Sequence, residues 1–214
     1  MTQIKLENNL VAKTNGQKEY IRTIAENDIT ICTGPPGSGK TTISVALACG
    51  YLAHNKVQNI IVSRPIVNCG KGIASLPGDV KSKTEPYFIP VIDVLEHYLG
   101  KKQYKFLVGN ETIKFIPLDL MRGMSIKDTF LVLDEASNAE FDQLKMFFSR
   151  IDKGSKFVLS GDFKQRDIRD NDFEHVVNKL TKANIEGVGI CKLNYCDVQR
   201  PKLINDIMRC LEER

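Results

Sequence analysis

The chain has 214 residues, of which 42% are hydrophobic and 26% charged, and its formal net charge at pH 7 is +4. We expect a single domain over residues 1–214, because a chain of this length buries about 70% of its unfolded surface in one core. The mild positive charge is compatible with an acidic partner such as nucleic acid but does not require one. No apolar run is long enough to span a membrane and no apolar signal segment opens the chain, so we expect a cytoplasmic protein with no membrane contact.

Six cysteines and three histidines are spread along the chain. No two cysteines form a C-x-x-C pair, and the histidines lie far from one another in sequence. Structural metal sites usually bring such residues together at short spacings. The pattern therefore favours reduced thiols in a packed interior over a metal centre.

Short apolar segments rich in β-branched residues alternate with helical periodicity. The predicted strands cover residues 28–33, 59–63, 129–134, 156–160 and 187–193. Helical spacing is found in three sets of residues, namely Ile43, Ala46, Leu47, Gly50 and Tyr51, then Val91, Val94, Leu95 and Tyr98, and then Phe141, Leu144, Phe148 and Ile151. Continuous apolar strands separated by helices predict an α/β fold with a mostly parallel sheet and helices on both faces.

One segment differs from this alternation. Residues 104–117, YKFLVGNETIKFIP, contain two stretches typical of strands, one on each side of Gly109 and Asn110. A glycine–asparagine pair between two such stretches favours a tight turn. We therefore expect a small β-hairpin inserted in the sheet domain.

Residues 33–42, TGPPGSGKTT, follow the first predicted strand and open a predicted helix. The spacing Gly34-x-x-x-x-Gly39-Lys40-Thr41 matches a phosphate-binding loop in the context that such a loop needs. Backbone N–H groups would surround the phosphates of a nucleoside triphosphate, Lys40 would reach the β- and γ-phosphates, and the Thr41 hydroxyl would bind Mg²⁺. The residues expected to bind nucleotide are Gly34, Pro35, Pro36, Gly37, Ser38, Gly39, Lys40, Thr41 and Thr42.

Residues 131–137, LVLDEAS, place two carboxylates directly after a predicted core strand. Ligands of open parallel sheets bind at the carboxyl ends of the strands. Asp134 fits the acid that holds Mg²⁺ through water, and Glu135 fits the base that orients an attacking water. Together with the glycine loop, these two acids predict hydrolysis of the bound triphosphate.

Residues 158–167, VLSGDFKQRD, form a third polar stretch after a predicted strand. Gln165 is a candidate for sensing the γ-phosphate and relaying its loss to a moving loop. An ordinary strand-to-helix turn is the alternative.

Gln17 lies upstream of the first predicted strand, within TNGQKEY. A glutamine amide can read the edge of adenine through two hydrogen bonds. The alternative is a solvated glutamine on the first helix.

The chain resembles the PhoH family in Gln17, residues 34–41, Arg64-Pro65, Asp134-Glu135 and residues 161–165. The stretches RP, LPGD, EPY, MRG, LDEAS, FFSRI and GSKFVLSGD also occur in the family's order, between about residues 15 and 208. The resemblance implies a single RecA-type lobe, similar to those of superfamily 1 helicases. It also implies ATP and Mg²⁺ as cofactors, ATPase activity, a link to RNA or single-stranded DNA, and homo-oligomeric rings such as hexamers.

A single lobe leaves one side of the triphosphate uncovered. In related enzymes an added arginine stabilises the transition state, with an effect of about 10³–10⁵ on the rate. We expect a neighbouring subunit to supply it, with Arg200 as the first candidate and Arg150 as the second, although a surface or structural role would suit either arginine nearly as well. Departures from the family at Met124 and at residues 199–202, QRPK, leave this assignment open.

Basic residues follow the second predicted strand, namely Arg64, Lys71, Lys81 and Lys83. They predict a strip that contacts nucleic-acid phosphates, with Tyr87 and Phe88 as the aromatic residues nearby. A solvated loop is the alternative.

Three other functions share some of these features. A nucleotide or small-molecule kinase also has a phosphate loop but does not need Glu135 as a base for water. A binding module would use ATP for assembly with little turnover. A protein remodeller is the third, and no residue pattern decides for or against it.

Overall fold

The computed structural model of the chain describes residues 4–66, 80–164 and 172–201, together with residues 203, 204, 207 and 210. For residues 80–83 it describes the backbone. Gln165 and Lys71 lie outside the described residues, so the roles expected of them stay predictions. Among the described helices, none combines the length and apolar character that crossing a membrane requires.

The described residues form six strands and six α-helices. The strands are β1 Ile29–Thr33, β2 Asn59–Arg64, β3 Ile113–Pro117, β4 Thr129–Leu133, β5 Lys156–Gly161 and β6 Val188–Lys192. The helices are α1 Asn15–Glu26, α2 Lys40–Ala53, α3 Val80–Leu99, α4 Lys101–Gly109, α5 Phe141–Phe148 and α6 Asp172–Ala183. Five strands, all except β3, match predicted strands to within one residue at each end.

The described strands make one sheet in the order β3-β2-β4-β5-β1-β6, and every neighbouring pair is parallel. The carboxyl ends of all six strands therefore lie at one edge. Strand β4 lies between β2 and β5, whereas β1, which leads into the glycine loop, lies beyond β5. The strand order therefore determines which polar residues at the carboxyl ends of the strands lie close together.

Both faces of the sheet are covered, as predicted. On strand β4, Phe130 and Val132 pack into a core with α1 to α4. Leu131 and Leu133, on the other face, pack with α5 and α6. All five β4 residues are buried, which explains why the strand is apolar throughout instead of alternating with polar residues.

The predicted hairpin over residues 104–117 is wrong. Residues 104–109 belong to α4, and residues 113–117 form β3, which pairs in parallel with β2. Tyr104 and Leu107 are buried whereas Phe106 is 59% exposed, a helical distribution that outweighs the strand propensity of the residues. The backbone N–H of Asn110 donates to the Phe106 carbonyl, so the glycine–asparagine pair ends a helix and makes no hairpin turn.

The helix predicted through Ile151 is shorter than expected. Helix α5 ends at Phe148, and Ile151 instead forms an isolated parallel bridge with Ile126. This bridge continues the parallel arrangement before β4 and β5 begin.

Candidate nucleotide-binding site

The glycine loop joins β1 to α2 at the carboxyl edge of the sheet. Gly37 and Gly39 have φ angles of 81° and 96°, a left-handed conformation that residues with a Cβ rarely adopt. The Ser38 hydroxyl donates to the Pro35 carbonyl at 2.8 Å and holds the loop closed on one side. Among the described residues, no side chain caps α2 at Gly39, so its first backbone N–H groups remain available to an anion.

Lys40 begins α2 and folds back over the loop. Its ammonium donates to the carbonyls of Gly34 at 2.6 Å and Pro35 at 2.9 Å. Burial lowers the pKa of Lys40, and nearby acidic groups partly oppose this shift. The Lys40 side chain thus lies beside the phosphate-binding backbone, where an anionic ligand would compensate for its partial burial.

Asp134 follows β4, and one of its carboxylate oxygens accepts hydrogen bonds from two hydroxyl groups. The Thr41 hydroxyl donates to Asp134 Oδ1 at 2.8 Å, and the Ser160 hydroxyl donates to the same oxygen at 3.0 Å. Asp134 is only 4% exposed. The carboxylate predicted to hold Mg²⁺ thus lies directly against the hydroxyl predicted to bind it.

The donor set fits Mg²⁺ bound together with phosphates. Magnesium prefers oxygen ligands and is usually held by one or two protein groups plus substrate phosphates and water. Among the described residues, no group of three or more His, Cys, Asp or Glu side chains could hold a metal ion by itself. Thr41 and Asp134 would therefore hold the ion, with phosphate oxygens completing its coordination.

Glu135 continues the chain in a left-handed backbone conformation, with φ of 55° and ψ of 39°. Such a conformation is uncommon for a residue with a side chain and often marks a functional position. Burial and the adjacent Asp134 carboxylate raise the pKa of Glu135, whereas Arg64 and Lys40 oppose this shift. The side chain is 39% exposed, so water has access to its carboxylate.

Arg64, at the end of β2, lies against both acids. Its guanidinium Nη2 is 3.3 Å from Glu135 Oε1, and its Nε is 3.6 Å from Asp134 Oδ2. Nη1 donates to the Tyr87 carbonyl in α3. The side chain is 17% exposed, so Arg64 is a neighbour of the two acids and not part of a solvated loop, and the phosphate contact expected of it stays a prediction.

One cavity of about 220 Å³ brings most of the predicted residues together. It is lined by Pro36, Gly37, Gly39, Lys40, Thr41, Thr42, Asp134, Glu135, Ser160, Gly161, Asp162 and Arg200. Asp162 is 9% exposed, and its Oδ1 accepts a hydrogen bond from the Lys164 backbone. The polar stretch after β5 therefore reaches the site, whereas the contribution of Gln165 stays a prediction.

A larger depression of about 470 Å³ lies at the opposite edge of the sheet. It is lined mainly by residues that precede or begin strands, including Asp28, Lys56 and Lys156. The Lys156 ammonium donates to the carbonyls of Ile24 and Asn27 at the end of α1, so its polar function there is structural. None of the predicted site residues that the structure describes lies in this depression.

Gln17 lies inside the protein and not in solvent. It is 4% exposed, its Nε2 donates to the Ser38 carbonyl at 3.0 Å, and its Oε1 accepts from the Lys13 backbone at 2.8 Å. The alternative of a solvated glutamine is therefore wrong. In this arrangement the Gln17 amide supports the glycine loop, and recognition of adenine by this amide stays a prediction.

The two candidate arginines occupy different environments. Arg200 lines the cavity of its own chain and packs against Gly37, and the neighbouring Gln199 N–H donates to the Gly37 carbonyl at 3.0 Å. Arg150 donates to the Met124 carbonyl at 3.2 Å and to the Met146 carbonyl at 3.3 Å. Arg200 therefore lies in the cavity of its own chain, its expected action in a neighbouring site stays a prediction, and Arg150 has structural contacts.

The structure describes only part of the strip of basic residues that was predicted to contact nucleic acid. Lys71 and the side chains of Lys81 and Lys83 lie outside the described residues. Phe88 is 1% exposed and packs at 5.2 Å, centroid to centroid, against Phe115. Phe88 is therefore a core residue and does not offer a surface for stacking bases.

Comparisons of the chain with a family model and with known sequences identify the same protein family. A family model described as PhoH-like protein matches residues 9–212. PhoH-like proteins of Synechocystis sp. and Bacillus subtilis are each 35% identical to the chain over 94% of its length. The chain spans 62% and 64% of the length of these two relatives. Protein PhoH of Escherichia coli is 35% identical over 161 residues, which cover 74% of this chain and 46% of that protein.

Similar solved structures have much lower sequence identity. The large terminase from a thermophilic bacteriophage has a TM-score of 0.56 at 13% identity and covers 92% of this chain and 49% of its own. The UvsW helicase from bacteriophage T4 has a TM-score of 0.50 at 17% identity, covering 89% of this chain and 64% of its own. These similarities confirm the predicted α/β fold of the RecA-like P-loop type.

Proposed function

Because the chain belongs to the PhoH-like protein family, we propose that it binds ATP with Mg²⁺ and hydrolyses the β–γ bond. The loop from Gly34 to Thr42 binds the phosphates, and Lys40 neutralises their charge. Thr41 and Asp134 hold the metal ion, which supplies charge neutralisation at the phosphates when bound. Glu135 orients the attacking water.

One observation carries this proposal: the 2.8 Å hydrogen bond between Thr41 and Asp134. These residues are 93 positions apart in sequence, and their contact brings the start of α2 to the end of β4. Lys40 and Glu135 line the same cavity. A cation, a metal-binding pair and a carboxylate base therefore surround the position at which a γ-phosphate would lie.

Arg200 has a place in the same proposal. Since its side chain packs against Gly37 of its own chain, it stabilises charge on the phosphates of the same subunit. This assignment replaces the expectation that it acts across a subunit interface. A homo-oligomeric ring such as a hexamer stays part of the proposal, without Arg200 as its reason.

We further propose that ATP turnover is coupled to RNA or single-stranded DNA. The support is the net charge of +4 and a fold shared with a helicase, UvsW, and with a phage terminase. Binding to nucleic-acid phosphates would be weakened by salt.

A kinase would transfer the phosphate to an acceptor other than water, and an assembly module would bind ATP with little turnover.

The test measures ATP binding by calorimetry and phosphate release in the wild type and in Glu135→Gln. We expect Glu135→Gln to keep Mg²⁺-dependent ATP binding and to lower kcat by about 10²–10⁴, the usual contribution of a general base. Glu111→Gln is the matched control, since Glu111 also has a positive φ, of 63°, and its side chain is 77% exposed outside the cavity.

Three results would contradict the proposal. Absence of ATP binding by the wild type would remove it entirely, and label transfer to an acceptor other than water would favour a kinase. Equal phosphate release by the wild type and Glu135→Gln would remove the role of Glu135. An unchanged rate with added RNA or single-stranded DNA at low salt would remove the nucleic-acid coupling alone.

A further inference from the structure

Arg64 connects the candidate catalytic acid to a helix outside the site. Its guanidinium uses separate nitrogens for three partners: Nη2 faces Glu135, Nε faces Asp134, and Nη1 donates to the Tyr87 carbonyl. A planar guanidinium with several fixed donors suits such bridging better than an ammonium. The side chain is only 17% exposed, so these contacts are partly shielded from solvent.

The strand order places Arg64 and the glycine loop on opposite sides of Asp134 and Glu135. Strand β4, which carries both acids at its end, lies between β2 and β5, and β1 with its glycine loop lies beyond β5. Accordingly, Thr41 and Ser160 contact Asp134 Oδ1, whereas Arg64 approaches Oδ2. Arg64 therefore holds the Glu135 carboxylate from the β2 side of the cavity, opposite the side from which the glycine loop would hold a γ-phosphate.

The third contact ties this ion pair to the α3 backbone. Tyr87 lies between Pro86 and Pro90, both inside α3. Prolines within a helix interrupt the ladder of backbone hydrogen bonds and bend the helix. Pro90 leaves the Pro86 carbonyl without its usual helical N–H donor, and the next carbonyl, that of Tyr87, accepts a hydrogen bond from Arg64. A shift of this part of α3 would therefore move the guanidinium that holds Glu135.

We propose that Arg64 is a positioning residue that holds Glu135 back from the attacking water and links its release to α3. This inference rests on the proposed ATPase function. Before hydrolysis, the Arg64–Glu135 ion pair opens and Glu135 turns towards the glycine loop. Arg64 forms no covalent bond in the reaction and moves no proton.

The first test measures kcat and KM for ATP in Arg64→Gln without nucleic acid. Glutamine keeps a donor for the Tyr87 carbonyl but removes the charge that holds Glu135. We expect kcat to rise by up to about fivefold, the change in equilibrium that a weak ion pair supports, while KM changes little. Arg64→Lys keeps the charge but loses the three-way bridge, and we expect it to show a smaller rise.

Two controls make this result specific. Arg22→Gln removes another arginine–glutamate pair, with Glu19 at 2.7 Å on the exposed surface of α1, and should leave kcat unchanged. The double variant Arg64→Gln/Glu135→Gln should be as slow as Glu135→Gln alone, because the gain acts through Glu135. A lower or unchanged kcat in both Arg64 variants, or a gain that persists without Glu135, overturns the inference.

A second readout does not depend on turnover. Thermal unfolding of the wild type, Arg64→Gln, Glu135→Gln and the double variant gives the coupling between the two residues. We expect non-additive Tm shifts in buffer and weaker coupling with the non-hydrolysable analogue AMP-PNP and Mg²⁺, since nucleotide shifts the pair towards its open state without opening it fully. Equal coupling in both conditions would identify a purely structural ion pair and overturn the inference.

The outcomes separate this inference from the function on which it rests. A wild type that binds no AMP-PNP and releases no phosphate contradicts both proposals. A wild type that hydrolyses ATP, with Arg64 variants that fold and show no gain, contradicts only the restraint by Arg64.

Discussion

The two carboxylate oxygens of Asp134 contact different partners. Oδ1 accepts the hydroxyls of Thr41 and Ser160, and Oδ2 faces the Arg64 guanidinium. With 4% of its surface exposed, the carboxylate depends on these partners for stabilisation of its charge. An amide at this position would keep an oxygen for the two hydroxyls but lose the charge that attracts a divalent cation.

Asp134→Asn should therefore weaken metal binding more than folding. We expect the Mg²⁺ concentration for half-maximal ATPase rate to rise by about 10–100-fold, as for other losses of partners around a metal site. A magnesium titration of the rate at saturating ATP measures this shift, with the exposed Asp142→Asn in α5 as the control. An unchanged midpoint would show that Asp134 does not hold the ion.

At the scale of elements, the glycine loop is supported from α1 as well as from its own strand and helix. Gln17 in α1 donates to the Ser38 carbonyl, and its side-chain nitrogen also lies 3.4 Å from the Asp197 carbonyl oxygen. The Asp197 carboxylate accepts from the Thr14 hydroxyl at 2.5 Å and from the Asn194 backbone at 2.8 Å. The start of α1, the loop and the segment after β6 thus form one hydrogen-bonded unit.

Gln17→Ala tests whether this unit supports the loop or reads the base. The change leaves the Ser38 carbonyl and the Lys13 N–H without their partner, at a cost of about 1–3 kcal/mol in stability. If Gln17 supports the loop, binding of ATP and GTP should weaken equally, as measured by calorimetry with both nucleotides. A loss confined to ATP would instead support reading of adenine.

At the scale of the whole molecule, the placement of Arg200 changes what is expected of an assembly. The arginine lines the cavity of its own chain and packs against Gly37. On the proposed function, completion of the site by a neighbouring Arg200 is not required. The argument for a ring rests on the family resemblance and not on the described geometry.

A mixing experiment distinguishes action of Arg200 within its own subunit from action of Arg200 in a neighbouring subunit. Lys40→Ala lacks the loop lysine, and Arg200→Ala lacks the arginine. Because both residues serve the same cavity of one chain, we expect no recovery of ATPase activity when the two inactive variants are mixed at any ratio. Phosphate release by the mixture, with light scattering to measure its assembly state, provides the measurement. Recovery would show that Arg200 acts between subunits.

Local sequence was sufficient for much of the fold and the site. Five of the six described strands and the glycine loop were predictable, because buried parallel strands are continuously apolar and a phosphate loop needs glycine at fixed positions. The hairpin over residues 104–117 was not, since the pairing of β3 with β2 and the burial of Tyr104 and Leu107 overrode local propensity.

The sequence by itself determined the loop at residues 34–41, the acids Asp134 and Glu135, and the α/β class. Each of these depends on residues that are adjacent in the chain. Only the tertiary structure decided that Arg64 faces those acids, that Gln17 contacts the loop, and that Arg200 lines the cavity of its own chain. The physical reason is that strand order and the return of the chain after β6 set these contacts, and neither is encoded in any short stretch of residues.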